Sequence, residues 1–413
     1  MKILWFSPTP SLFDKKVNGG WIASLEYELA KIDDINLAIA FEYDNPTARR
    51  YSSGNVTYYP MNVHCGLHEK INIKLHEKYK WEKLEQIALG IIQDFHPDII
   101  QCFGTEWPYG LLYDRTDIPI VIHMQGFLNV DDAMEDLCLS PSEQMWYSTN
   151  RITTLAKIIS HLHKRKQREK NELEIVKNNR YFLGRTHWDK EIINSYNPLA
   201  EYFRCNEILR HELRSKDWQY NVIDKPTILT VSQGGLLKGN EIILRTAEFL
   251  TNTLKLSFTW RVAGNTAVMK LFENKTGIKC SSVNILQLGM IDASTVAEEI
   301  CSANVFVHPS IIDNSPNSIC EAQYIGCPVI ASNVGGVSSL IEDGFSGLLY
   351  PYNEYHTLAY KIIRLLADQK LMYSLSENEK TIARQRHNPH AIVTNLCGIY
   401  KTIIQKSGEK HEI

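Results

Sequence analysis

The sequence lacks most features that would name a chemistry at once. Its nine cysteines form no C-x-x-C pair and no dense cluster. That excludes a disulfide scaffold and a zinc ribbon, and fits a reduced, cytoplasmic compartment. Charge is nearly balanced, with 44 Lys and Arg against 47 Asp and Glu, so the basic excess of a nucleic-acid binder is absent. No stretch approaches the ~20 apolar residues of a membrane span. The apolar run at the N-terminus stops at Phe6, ahead of Pro8 and Pro10. It is too short for a secretory signal and reads as a buried strand. No two glycines are separated by one residue, so a G-x-G-x-x-G dinucleotide fingerprint cannot exist. "GGLLKGN" at Gly234–Asn240 places its Lys before the last Gly, unlike a phosphate-binding P-loop. H-E-x-x-H, G-x-S-x-G and the metal-binding Asp-x-Asp pattern are also missing.

What is present is size and alternation. The chain has 413 residues, 44% of them hydrophobic. Single cores stop growing near ~250–300 residues, so two domains are expected. Strand patterns fall at Lys2–Ser7, Asn36–Phe41, Val56–Tyr59, Asp98–Phe103, Ile118–His123 and Arg180–Gly184. Helical patterns fall at Gly19–Lys31, Lys80–Phe95, Glu143–Lys177 and Thr186–Asn194. The run Leu209–Lys225 is polar, ends at Pro226, and marks the domain boundary. A second series places strands at Thr227–Val231, Ser257–Ala263, Val283–Leu288, Asn304–His308 and Pro328–Ala331. Helices at Asn240–Leu250, Ala267–Lys275, Ala293–Ser302 and Pro316–Ile325 separate them. Strict alternation predicts α/β architecture, two doubly wound parallel sheets in tandem. Ligands of such sheets bind beyond the carboxyl ends of the strands.

One stretch concentrates polar residues at such an end. In "HPSIIDNSPNSICEAQYIGCPVIASNVGG", His308–Gly336, seven residues separate Asp313 from Glu321. Ser315 is a candidate N-cap, Pro316 a first helical residue, and Gly326 a helix stop. At about 100° per residue, Ile319, Ala322 and Gly326 share one side. Glu321 lies opposite, so it is expected to point away from the core. The helix start favours an anion or a hydroxyl-rich ligand.

"DNSPNSICEA…IGCPVIASNVGG…IEDGFSGLL" resembles the signature of the family 4, or group 1, glycosyltransferases, in which two acids stand at this spacing. The first acid is usually Glu; here it is Asp313. "YFLGRTHWDK", "FGTEWP" and "VIHMQGF" resemble segments of bacterial members that build surface polysaccharides. The resemblance implies a GT-B fold, two facing Rossmann-like domains with an inter-domain cleft. The expected division is 1–218 for an acceptor-side domain and 219–388 for a nucleotide-sugar domain. A C-terminal helix at 389–413 would pack back on the first. The implied reaction is retaining transfer of a hexosyl-type sugar from a nucleotide-diphosphate sugar to a hydroxyl of a glycan or lipid-linked acceptor, in capsule, O-antigen or exopolysaccharide synthesis. Neither a metal nor a further cofactor is implied.

Residue by residue, the resemblance assigns Glu321 to the donor ribose and Asp313 to the donor sugar. Asn314, Ser315, Pro316, Asn317 and Ser318 would add contacts to sugar and diphosphate. Departure of a nucleoside diphosphate builds negative charge that cations and N–H dipoles must stabilise. Lys238 matches the family's lysine. The position five residues earlier, usually Arg, is the neutral Gln233, and Arg185 or Arg261 are the cations that would compensate. Gly19, Gly20 and Trp21 belong to the loop that meets diphosphate and acceptor. His123 matches the family's histidine near the reacting sugar, and Glu106 and Arg185 are acceptor-side candidates. Gly264, Leu288 and Met290 would border the nucleobase.

"RITTLAKIISHLHKRKQREK" combines apolar residues at helical spacing with a basic run. Lys157–Lys170 is therefore either a solvated helix face or a contact to an anionic membrane surface, at the inner face of the plasma membrane. Two other readings stay open: a sugar-nucleotide epimerase of the same fold, which needs no acceptor, and a non-catalytic nucleotide-sugar-binding protein, which the neutral Gln233 favours.

Overall fold

A computed structural model describes residues 1–14, 20–45, 47–63, 77–220, 225–232 and 234–409. The strands are β1 (Lys2–Ser7), β2 (Asn36–Glu42), β3 (Tyr51–Ser53), β4 (Val56–Met61), β5 (Ile99–Phe103), β6 (Ile120–His123), β7 (Tyr181–Gly184) and β8 (Glu201–Arg204). They continue as β9 (Thr227–Val231), β10 (Thr259–Ala263), β11 (Ile285–Gly289), β12 (Val305–His308), β13 (Val329–Ser332) and β14 (Leu348–Tyr350). The helices are α1 (Gly20–Leu29), α2 (Glu77–Phe95), α3 (Leu128–Cys138), α4 (Pro141–Tyr147), α5 (Arg151–Asn178), α6 (His187–Tyr196) and α7 (His211–Arg214). After them come α8 (Asn240–Glu248), α9 (Thr266–Thr276), α10 (Ala293–Ser302), α11 (Asn317–Ile325), α12 (Tyr355–Ala367), α13 (Gln369–Arg386) and α14 (Pro389–Gly408).

The chain divides into two compact units, 1–129 with 157–208 and 387–413, and 130–156 with 209–386. The first is built on an eight-stranded sheet of order β3-β4-β2-β1-β5-β6-β7-β8, parallel except for the β3–β4 pair. Its central strands are continuous apolar runs, as a sheet covered on both faces requires. Helix α14 belongs to this unit. Ile392, Leu396, Ile399, Tyr400 and Ile403 recur at helical spacing and join Ile3, Trp5, Leu25 and Leu29 in one core. Each such aliphatic side chain contributes about 1.5–3 kcal/mol by leaving water.

The second unit holds a six-stranded parallel sheet of order β11-β10-β9-β12-β13-β14. Residues 130–156 pack with it although they precede it in sequence: Asn274 Nδ2 donates to the Tyr147 carbonyl at 2.9 Å and Lys275 Nζ to the Cys138 carbonyl at 3.0 Å.

The expected helix Glu143–Lys177 is two helices. Ser140 and Glu143 form a capping box that starts α4 with Pro141 in its first turn, and the chain turns extended at Ser148 before α5 begins. Helix α3 precedes both. The pattern of residues did not mark α3, nor the three short strands β3, β8 and β14.

Candidate functional site

Within the second unit, the loops after β9 and β12 meet. The Ile311 amide donates to the Leu237 carbonyl at 2.8 Å, and Gly239 has φ of 69° with the Pro309 carbonyl 1.9 Å from where a Cβ would stand. Only glycine fits there. Gly335, at φ 48°, is closed off in the same way by the Asp313 carbonyl, which also accepts from the Gly336 amide at 3.0 Å.

These approaches converge on one oxygen. Asp313 Oδ2 receives Lys238 Nζ at 2.7 Å, His308 Nε2 at 3.2 Å and Ser310 Oγ at 3.2 Å. Burial alone would raise the Asp313 carboxyl, but the Lys238 ammonium and the His308 contact outweigh it. They hold the group well below the usual carboxylate range. On its other side His308 Nδ1 lies 3.4 Å from Ser318 Oγ. Four of these residues, Lys238, Asp313, Ser310 and Ser318, are therefore linked through or beside His308, which the sequence reading treated only as a strand end.

Glu321 departs from expectation. It is 4% exposed, not turned out from the core, and its Oε1 receives both Nε (3.0 Å) and Nη2 (2.7 Å) of Arg210. The helical wheel failed because α11 is covered on more than one side, by α7 and by α13 as well as the sheet. A carboxylate buried there needs a partner cation, and Arg210 supplies it from 111 residues earlier. The start of α11 also differs. Pro316 is the N-cap and Asn317 the first helical residue, because the Pro316 backbone is extended (ψ 118°) and its carbonyl takes the first turn's amides. Ser315 is buried beside it, its hydroxyl without a hydrogen-bond partner among the described residues. Asn314 is buried and Asn317 half-buried.

Gly264, Asn265 and Gln287 line a small pocket with Ser232, Gly234 and Met269 at the carboxyl ends of β9, β10 and β11. Leu288 ends in that neighbourhood on β11, and Met290 follows, 68% exposed. Arg261 is engaged by Glu299 at 2.9 Å and Ser302 at 3.2 Å. Gln233 and Gly19 lie outside the described residues.

In the first unit a second group assembles. His123 ends β6, fully buried, with its ring against Trp21 (centroids 5.0 Å) and Phe103 (5.6 Å). Arg185 is 3% exposed. Its guanidinium sits 5.2 Å from the Trp21 ring, faces Glu207 Oε2 at 3.4 Å and donates to Gln125 Oε1 at 3.4 Å. A capping box of Thr186 and Asp189 fixes the turn, with the Arg185 amide donating to Asp189 Oδ2 at 3.0 Å. Burial, reinforced by the Arg185 charge, pushes His123 down to about 3, so its imidazole is neutral. Gly20, at φ 56°, opens α1 immediately before Trp21. Glu106 is half-buried, with its carboxylate against Gly104 near Gln125; burial and the nearby Glu172 push its carboxyl up. Glu172 itself, missed in the sequence, accepts from Thr105 Oγ1 and from the Leu128 and Asn129 amides, each at 2.8 Å.

Two Rossmann-like units, each with polar groups gathered at strand ends, define the chain as a GT-B protein. Solved structures share the fold. Sucrose-phosphate synthase from Thermosynechococcus elongatus matches with a TM-score of 0.75 and 14% identity, over 98% of this chain and 99% of that one. Anabaena HepE in complex with UDP-glucose matches at 0.68 and 14%, over 97% and 100%. Residues 215–382 match the model of the glycosyl transferases, group 1. An alpha-D-kanosaminyltransferase of Streptomyces kanamyceticus is 27% identical over 197 residues, 48% of this chain and 50% of the relative. An N,N'-diacetylbacillosaminyl-diphospho-undecaprenol alpha-1,3-N-acetylgalactosaminyltransferase of Campylobacter jejuni is 26% identical over 189 residues, 45% and 47%. The chain thus spans about half the length of the curated relatives it matches.

Proposed function

We propose that the chain transfers a sugar from a nucleotide-diphosphate sugar to a hydroxyl of a glycan or lipid-linked acceptor, with retention at the anomeric carbon. The observation that carries this reading is the Lys238–Asp313 pair, held at the ends of β9 and β12 inside the family-matched region. Lys238 is the cation for the departing diphosphate, and donor phosphate exchanges with Asp313 for it. Asp313, released from that pair, accepts from a hydroxyl of the donor sugar. Glu321, steadied by Arg210, accepts from the ribose. Loss of the diphosphate is stabilised by Lys238 and the first-turn amides of α11, without a metal ion, and the leaving phosphate takes the acceptor's proton. Related proteins favour a nucleotide sugar and a lipid-linked acceptor: HepE was solved with UDP-glucose, and the Campylobacter relative is named for a diphospho-undecaprenol acceptor.

The test is incubation with a panel of sugar nucleotides, with and without acceptor and with chelator present. New α- or β-glycoside is scored against free nucleoside diphosphate. Turnover of donor alone to a new sugar would favour an epimerase, binding without turnover a non-catalytic module, and an inverted product would remove the retaining mechanism.

For a lipid-linked acceptor we propose that α5 rests on an anionic leaflet. Ile152, Leu155, Ile159 and Leu162 form a stripe on it and are each at least 41% exposed, beside exposed Lys157, Lys166 and Lys170. Among the described residues no helix is long and apolar enough to cross a membrane. Flotation with vesicles containing anionic lipid should recover the chain, and 0.5 M-range salt should release it; equal recovery on neutral vesicles would discard the electrostatic part.

A further inference from the structure

A buried hydrogen-bond chain runs through the first unit to His123. Trp5 Nε1 donates to Tyr400 Oη at 3.1 Å, Tyr400 Oη to Gln101 Oε1 at 2.5 Å, and Gln101 Nε2 lies 3.3 Å from His123 Nδ1. Trp5, Gln101, Tyr400 and His123 are each fully buried. The direction of every link is fixed by the chemistry of its first member. An indole nitrogen can only donate, so the tyrosine oxygen accepts there and sends its own proton onward. That proton needs an acceptor, which places the oxygen of Gln101 toward Tyr400 and its NH₂ toward His123. Turning the amide over would give Tyr400 two donors and leave its proton with no acceptor in a dry site, at the cost of an unsatisfied buried group. Gln101 therefore donates to Nδ1. A neutral imidazole that accepts at Nδ1 carries its proton on Nε2. His123 Nε2 is itself buried and has no hydrogen-bond partner among the described residues.

We propose that this relay holds His123 in the Nε2–H form, so that it serves the donor sugar as a hydrogen-bond donor to an oxygen and not as a proton acceptor. Tyr400 and Gln101 are positioning residues that act through it. The proposal rests on the reading of His123 as a sugar-contacting residue, but the tautomer is decided by the relay alone. The charged groups that face the ring are Arg185, which disfavours a second proton, and Glu207, which favours it; burial sides with Arg185.

The experiment reads the ring directly. With ¹⁵N-labelled histidine, and His123→Gln to assign the signal, the wild-type protein should show the proton on Nε2 and no titration between pH 5 and 9. Gln101→Glu is close in shape and, as the carboxylate, offers only acceptors; read at a pH where that group is ionised, it should move the proton to Nδ1 and lower kcat by roughly 10²-fold, the size of losing one preorganised donor. KM for the donor should change far less. Tyr400→Phe, a gentler change, should leave a mixture of tautomers. A proton on Nδ1 in the wild type, or titration of His123 in that range, would overturn the proposal. So would a Gln101→Glu variant whose tautomer reverses while kcat stays the same. A wild type inactive on every sugar nucleotide would remove the transferase reading, and the spectrum would still decide the tautomer.

Discussion

Both units bury an ion pair at their polar group, Arg185 with Glu207 in the first, but they differ in what else they present. In the second unit the ionised residues are already paired with one another, Lys238 with Asp313 and Arg210 with Glu321. In the first, His123 is neutral, flanked by aromatic rings on two sides, and keeps a buried nitrogen without a hydrogen-bond partner among the described residues. A ligand entering the second group must exchange partners with charges that are at rest. A ligand meeting the first finds a donor whose direction was settled on folding. The former arrangement tolerates a charged, variable guest; the latter reads geometry.

The largest effect that would break this contrast is on Arg210. Arg210→Met strands a buried carboxylate, and stability should fall by about 3–5 kcal/mol in denaturant unfolding. Arg210→Met with Glu321→Leu should recover most of it. If the double variant is no better than the single one, the pair is not what Arg210 contributes.

Next is Lys238→Ala. Turnover should fall by roughly 2.7–4 kcal/mol of barrier while the fold persists. Unchanged kcat in a folded variant would leave the Lys238–Asp313 pair a structural contact only.

The two units should also lose stability in separate pH windows. His123 has its pKa depressed from 6.5 to about 3, so the unfolded chain takes up a proton that the folded chain refuses. Its contribution is whole above pH 6.5 and declines as pH falls toward 3, by at most about 1.4 kcal/mol per unit. Asp313 is depressed from 3.8, so its contribution is whole above that value and is lost only at more acidic pH. His123→Gln should flatten the upper window and Asp313→Asn the lower one, in unfolding curves taken at stepped pH. Identical profiles for the two variants would erase the distinction.

The smallest effect is expected at Arg261. Its partly exposed ion pair with Glu299 predicts a change below about 1 kcal/mol for Arg261→Ala, with turnover unaltered. A large loss of turnover would make it the cation that offsets the neutral Gln233.

How far the sequence could be read follows from which forces are local. The strands of both sheets stood out because parallel strands buried on two faces are unbroken apolar runs, as in β1 and β12. Edge strands β3 and β8 carry mixed, exposed residues and left no such trace. Lys238, Asp313 and Ser318 were picked out by the family motif they match, and the structure sets Lys238 on Asp313 and Ser318 beside His308. Arg210, Gln101 and Tyr400 were not, since their partners lie between 22 and 395 residues away. Glu321 shows the same limit in another form. A helical wheel knows one layer of packing, and α11 has a second, in which α7 and α13 turn its nominal outer face into an interior.

Helix α14 carries a consequence for biosynthesis. It supplies Ile392, Leu396, Tyr400 and Ile403 to a core whose first strand begins at Lys2. A ribosome that has made β1 to β8 has therefore made a sheet whose core still lacks one of its helices. The second unit needs nothing beyond Arg386 and can close first. The half of the molecule that is translated earlier is the half that is finished later.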